Sequence, residues 1–105
     1  MELYNMIRAA RTREELCELF GAVRQRAKRY PEYEFTQGFF FENGCRIPVN
    51  ESTHIDVIIR FAKAEQTIKD ILDKAEDISS EDCETIQRLL SELDELCDEF
   101  EKANI

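Results

Sequence analysis

Two long apolar stripes with helical spacing dominate the second half of the chain and constrain its fold more than any other feature. Between residues 57 and 78 the apolar positions step alternately by four and three residues, and the same rhythm recurs between 89 and 103. Each run predicts a helix roughly 36 Å long, and a very short connection forces the two helices to lie antiparallel. We therefore expect a helical hairpin packed like a short coiled coil, with helices over about 53–77 and 80–103. The predicted seam sets Val57, Phe61, Ile68 and Ile71 against Leu89, Leu93 and Leu96.

The first thirty residues predict two further helices. Apolar residues recur at helical spacing over 2–10, and Thr12 followed by Glu15 forms a capping box that starts the second helix. A proline ends this helix, giving a predicted range of about 13–30. Gly21 lies inside it at a cost of about 1 kcal/mol relative to Ala, which suggests that another element packs closely there.

Residues 33–49 change to a period of two, which favours a β-hairpin. Aromatic residues alternate along its first half, and Asn-Gly marks a turn. A two-residue turn would mix the two faces of the ribbon, whereas a three-residue loop at 42–44 sets Phe41 against Cys45 and gives one apolar face. We therefore expect the three-residue loop.

The predicted fold class is mainly α (α+β): two N-terminal helices, a β-hairpin and a long C-terminal antiparallel helical hairpin, in one domain over 1–105. An isolated two-stranded ribbon is marginal in water, so its apolar face should pack on helices. Phe40 and Arg46 fall on the other face, where we expect partly exposed contact residues for a partner.

Groups that could carry catalysis are scarce. The chain has one histidine, His54, and lacks a Gly-rich phosphate loop, a nucleophile elbow and a His-Glu-x-x-His motif. Its four cysteines, at 17, 45, 83 and 97, are too scattered for a compact disulfide framework or a zinc site. We therefore expect reduced thiols, no metal, no cofactor and no enzymatic activity.

Charge is distributed unevenly along the chain. The formal net charge is −9, made up of +3 over residues 1–30, −2 over 31–50 and −10 over 51–105. This balance disfavours direct binding to nucleic acid or to an anionic membrane. There is no apolar run of the roughly 18 residues that a bilayer span needs and no signal-peptide pattern at the start, so we expect a cytoplasmic protein.

A basic cluster at the end of the second helix has three interpretations. Its members are Arg24, Arg26, Lys28 and Arg29. Cations are favourable at a helix C-terminus. They can also pair with the acidic C-terminal helix, or form a nucleic-acid contact, which the net charge disfavours.

The C-terminal helix is strongly acidic. Between Glu76 and Glu101 there are eleven acidic residues and one base, Arg88. Carboxylates off the leucine stripe recur every roughly 5–6 Å along the axis, which approaches the phosphate spacing of a nucleic-acid strand. This face is either a mimic of nucleic acid toward a basic groove or simply a solvated surface that prevents aggregation. The candidate partner-binding residues are Glu84, Glu92, Asp94, Glu95, Asp98, Glu99 and Glu101, with Phe40 and Arg46 on the hairpin.

These observations predict a small, acidic, non-enzymatic protein-binding module, an inhibitor that occludes a partner with a basic nucleic-acid-binding groove. Its size, acidity and lack of catalytic groups are similar to those of small inhibitors carried by phages and mobile elements, including anti-CRISPR proteins, although no motif carries the similarity. The alternative is an assembly protein that forms a homodimer or larger oligomer through the helical hairpin or the edge strand containing Pro48. Binding through charge weakens with salt, whereas a leucine-stripe oligomer does not.

Overall fold

Four helices contain nearly all the residues that the computed structural model describes, which are 2–30, 33, 41–42, 45–46, 55–74 and 77–103. The helices are α1 (Glu2–Ala9), α2 (Arg13–Ala27), α3 (Ile55–Lys74) and α4 (Ser80–Ala103). Two short strands, β1 (Phe41–Glu42) and β2 (Cys45–Arg46), pair antiparallel. α3 and α4 form the predicted antiparallel helical hairpin, and α1 and α2 both pack on α4.

Local signals set the starts of two helices. The capping box predicted before α2 is confirmed, because Thr12 Oγ1 accepts the Glu15 N–H at 3.2 Å and Glu15 Oε1 accepts the Thr12 N–H at 3.2 Å. Before α4, the Ser79 hydroxyl accepts the Asp82 N–H at 3.1 Å. Acidic residues in the first turn of α4 add favourable charge at its N-terminus.

The core lies where α2, α3 and α4 meet. Four of the predicted seam residues are buried: Phe61, Ile68, Leu93 and Leu96. The other three are only partly buried: Val57, Ile71 and Leu89. Their neighbours Ile58, Leu72 and Leu90 are buried instead. At these three positions the buried residue is therefore the next one along the chain. The buried face of α4 is wide because this helix packs on α1 and α2 as well as on α3.

Side chains from one helix donate hydrogen bonds to the carbonyl groups at the C-terminal ends of other helices. The last carbonyl groups of a helix have no N–H donor within that helix, so they need a donor from elsewhere. Arg13, at the start of α2, donates from Nε and Nη2 to the carbonyl of Leu72 at 3.1 and 2.7 Å. Gln87 Nε2 on α4 lies within 3.1 Å of three carbonyl oxygens at the end of α1: Ile7, Arg8 and Ala10.

The α+β class predicted from the sequence is wrong, because the described residues form four helices and only two strands of two residues each. The extended β-hairpin predicted over 33–49 is not found among the described residues of this segment. Tyr33, expected on its first strand, is helical and donates its N–H to the carbonyl of Tyr30 at 3.1 Å. Within the described part of this segment only two residues on each side pair.

The register of this short ladder also differs from the prediction. Phe41 lies opposite Arg46, and Glu42 lies opposite Cys45, so two residues connect the strands instead of three. Two-residue connections match the twist of paired strands best.

α2 departs from its prediction in two places. It ends at Ala27, after which the Lys28 N–H donates to the carbonyl of Arg24 at 3.0 Å. Gly21 is exposed, and a Cβ added there would meet nothing within 4 Å. The close packing predicted at this glycine is therefore wrong.

Candidate protein-binding surface

α4 divides the predicted partner-binding carboxylates between two sides. Three of them face α2: Asp94, Asp98 and Glu101. Three are exposed on the adjoining solvent side of α4: Glu84, Glu95 and Glu99. Glu92 lies toward α3. The division follows from the rotation of about 100° per helical residue, which sends adjacent carboxylates in different directions.

The carboxylates that face α2 surround one guanidinium. Arg26 Nη1 donates to Asp94 Oδ1 at 2.7 Å and to the Asp94 carbonyl at 3.1 Å. Its Nη2 donates to Asp98 Oδ1 and lies 3.4 Å from Glu101 Oε2. We call these four residues the Arg26 cluster. They confirm, for Arg26, the interpretation that the basic end of the second helix pairs with the acidic helix.

Burial makes the Arg26–Asp94 pair a structural element, whereas the side chains of Asp98 and Glu101 are 48% and 56% exposed. Asp94 is only 7% exposed, and a carboxylate at that depth needs a partner to remain charged. Burial of the Arg26 guanidinium opposes its charge, but hydrogen bonds to Asp98 and Asp94 outweigh this and raise the pKa of Arg26 above its ordinary value. Asp94 is therefore engaged within the chain and is not presented to a partner.

The adjoining solvent side, which we call the outer face, consists of Glu84, Arg88, Glu95, Glu99 and Lys102. All five are exposed. Among the described residues, Glu84 and Glu95 have no hydrogen bond or ion pair, whereas Glu99 Oε1 lies 3.5 Å from Lys102 Nζ. Arg88 follows Glu84 by one turn, so the regular row of carboxylates expected from the sequence is interrupted by a base.

Glu92 has an intermediate position between α3 and the outer face. Its Oε1 lies 3.5 Å from Arg60 Nη2, and the two side chains are 34% and 60% exposed. Pairs of this exposure contribute at most about 1 kcal/mol. Glu92 can therefore exchange Arg60 for another cation at little cost.

The two hairpin residues predicted as contacts cannot be placed on this surface. Phe40 lies outside the described residues. The backbone of Arg46 belongs to β2, opposite Phe41, and its side chain lies outside the described part of the chain. Their predicted exposure stays a prediction.

Sequence reasoning missed a buried polar cluster between α2 and α3. Tyr33 donates its hydroxyl to Glu65 Oε2 at 2.9 Å, and Arg24 Nε lies 3.1 Å from the same oxygen. Glu65 is only 7% exposed, and the Tyr33 ring packs edge-on against Phe61 at 5.9 Å. Burial raises the pKa of Tyr33, which keeps the phenol protonated as a donor. The signal was present in the sequence, since Glu65 stands in the apolar stripe Ile58–Phe61–Ile68–Leu72.

The described residues contain no group of three or more His, Cys, Asp or Glu side chains that could hold a metal ion. Cys83 and Cys97 are buried free thiols, and Cys17 is a half-buried one. Burial raises the pKa of the Cys97 thiol to about 12, so it is not a thiolate at neutral pH. His54 lies outside the described residues.

No helix in the described part of the chain is long and apolar enough to cross a membrane. No family model, curated protein or solved structure matches the chain. A function for this chain is therefore inferred from the surfaces of the molecule.

Proposed function

We propose that this chain is a non-enzymatic protein-binding module that engages a basic surface of a larger protein through the outer face of α4. The observation that carries the proposal is the free state of Glu84 and Glu95, which are exposed and have no ionic partner among the described residues. The Arg26 cluster uses its carboxylates internally. The outer face keeps them in solvent, where they can meet Lys or Arg side chains of a partner.

The charge of the molecule supports the same choice of partner. A net charge of −9 creates a negative potential that attracts basic surfaces and speeds encounter. Glu95 and Glu99 are one turn apart, roughly 6 Å along the axis, which approaches the spacing of phosphates along one nucleic-acid strand. The partner that we propose is therefore a protein with a basic nucleic-acid-binding groove, which this chain inhibits by occupying the groove.

The interruption at Arg88 limits how closely the outer face imitates nucleic acid. A phosphate backbone carries one charge at every repeat, whereas the outer face carries two bases among its carboxylates. We therefore propose recognition by a few ion pairs at Glu84, Glu95 and Glu99, with Glu92 at the edge. Each pair across an interface gives orientation and rate of association more than affinity.

The alternative function, assembly through the leucine seam, has less support. Leu89 is partly buried, and Leu93 and Leu96 are at most 2% exposed and covered within the chain. A second copy could reach them only if the four-helix packing opened. Assembly through the edge strand containing Pro48 involves residues outside the described part of the chain.

A pull-down with matched variants tests the proposal. Unaltered protein, E95K/E99K and the control E14K/D73K are incubated with lysate of the source cells at 0.05 and 0.3 M salt. The two variants change the net charge equally, and all four positions are exposed. We expect E95K/E99K to lose the captured protein that the control retains, and expect capture by the unaltered protein to fall at the higher salt. Equal capture by both variants contradicts the proposal.

A further inference from the structure

A groove runs between α1 and α2. It is lined from α1 by Leu3, Met6 and Ala9, and from α2 by Glu18, Leu19 and Ala22. Its volume is about 370 Å³, large enough for a few side chains. None of the residues that line it belongs to the outer face of α4.

The walls of the groove have the geometry of a helix-docking site. On α1 the lining residues recur every three positions, so they run along the helix axis for roughly 9 Å, or nearly two turns. Ala9 and Ala22 are small and let another backbone approach closely. Met6 is 56% exposed, more than any other large apolar residue in the described part of the chain. Methionine adapts its shape readily and is common at surfaces that accept helices.

Carboxylates mark the α2 side of the groove. Glu18 is exposed and has no hydrogen bond or ion pair among the described residues. Glu15, one turn earlier, also lines the groove and is held by the backbone N–H groups of Arg11 and Thr12. These hydrogen bonds lower the pKa of Glu15, which therefore stays charged. The groove therefore has an apolar floor with two carboxylates beside it. These features complement a helix that has an apolar face with a cation beside it.

We infer that the α1–α2 groove binds a helical segment of another protein that carries apolar side chains on one face and a Lys or Arg beside them. Apolar residues at positions i, i+3 or i+4 of the segment occupy the groove over Met6 and Leu19, as in other helix-in-groove interfaces. Its cation pairs with Glu18. This site does not depend on the proposed function of α4, because the two surfaces share no residue.

A model peptide tests the groove without knowledge of the natural partner. The probe is a labelled 14-residue helix of Leu and Lys in amphipathic order, titrated by fluorescence anisotropy at 0.15 M salt. We expect binding that Met6→Lys weakens about tenfold or more, because Met6 loses its apolar contact. Ile59→Lys is the matched control, because Ile59 is a 42% exposed residue of α3 and the charge change is the same. It should alter the affinity less than about twofold.

A second pair of variants separates the groove from general attraction to an acidic protein. Glu18→Lys should weaken binding of the Leu–Lys peptide severalfold, whereas Glu95→Lys, an equal change of net charge on α4, should leave it nearly unchanged. Circular dichroism confirms that each variant remains helical. Failure of the peptide to bind, insensitivity to Met6→Lys, or equal loss with Glu18→Lys and Glu95→Lys overturns the inference. The pull-down with E95K/E99K tests the α4 surface separately.

Discussion

Asp94 and Glu95 are neighbours on α4, yet they belong to different parts of the molecule. Asp94 is 7% exposed and bound by Arg26, whereas Glu95 is exposed and has no ionic partner among the described residues. One step of about 100° around the helix separates a structural carboxylate from one that a partner can reach. Residue type alone therefore does not indicate a binding face. What matters is whether a cation from another helix reaches the carboxylate.

The largest effect should come from removing the cation of the Arg26 cluster. Arg26→Met keeps the apolar stem but leaves Asp94 buried without its partner, and we expect a loss of about 3 kcal/mol in the free energy of unfolding. Urea denaturation measures this loss. The double variant R26M/D94L replaces the pair with apolar side chains and should recover most of it. A loss below about 1 kcal/mol for Arg26→Met would show that the ion pair of Asp94 contributes no more than an exposed pair does.

The buried Cys97 of α4 should make the stability of the protein depend on alkaline pH. Burial raises the pKa of Cys97 from 9.0 to about 12. Between these values the unfolded thiol has lost its proton while the folded thiol keeps it, so stability falls as the pH rises. The slope should approach about 1.4 kcal/mol per pH unit at most.

Urea denaturation of the unaltered protein and Cys97→Ala between pH 8 and 10.5 checks this slope. The two proteins share every other titratable group, so the difference between the two slopes is the decisive quantity. Equal slopes would show that the Cys97 thiol ionises as readily in the folded protein as in the unfolded chain.

α2 offers a smaller test of its own solvent side. Gly21 is exposed, and a Cβ there meets no atom within 4 Å. Gly21→Ala should therefore raise the free energy of unfolding by about 0.5–1 kcal/mol, because alanine restricts the unfolded chain and favours the helix. Thermal denaturation should show a higher midpoint. A lower midpoint would mean that another element approaches this position after all.

The smallest effect on stability is expected at the outer face. E95K/E99K should change the free energy of unfolding by less than about 0.5 kcal/mol, since exposed charges contribute little. Asp94→Lys, a reversal at the adjacent position, should unfold the protein far more easily. The same denaturation assay compares them. Similar losses for both variants would show that Glu95 has a structural role.

Local signals predicted the parts of the fold that depend on neighbouring residues. The capping box of Thr12 and Glu15 sets the start of α2, and the apolar rhythm of the second half predicts the helical hairpin. The exact seam was less predictable. Ile58 is buried rather than its neighbour Val57, and Leu72 is buried rather than its neighbour Ile71. The members of each pair differ little in local preference, so the packing of the helices decides which one is buried.

Long-range contacts account for two of the errors. The alternation that begins at Tyr33 predicted a strand, but Tyr33 is helical and its hydroxyl reaches Glu65, 32 positions away. Tertiary contacts of this kind override a local pattern. The division of the acidic helix depends on Arg26, which is 68 positions from Asp94. The spacing of the carboxylates shows which share a side of α4 but not which side meets a cation.

The contact of Gln87 with the end of α1 has a consequence for how the molecule opens. α1 has eight residues, fewer than an isolated helix needs to persist in water. The amides that are hydrogen-bonded within α1 should therefore exchange with solvent only when α1 leaves α4 and the Gln87 amide loses the carbonyls that it caps. Exchange protection in α1 then reports the attachment of this helix to α4 rather than its own propensity. Any bound segment that holds α1 on α4 should slow amide exchange in α1 and α4 together.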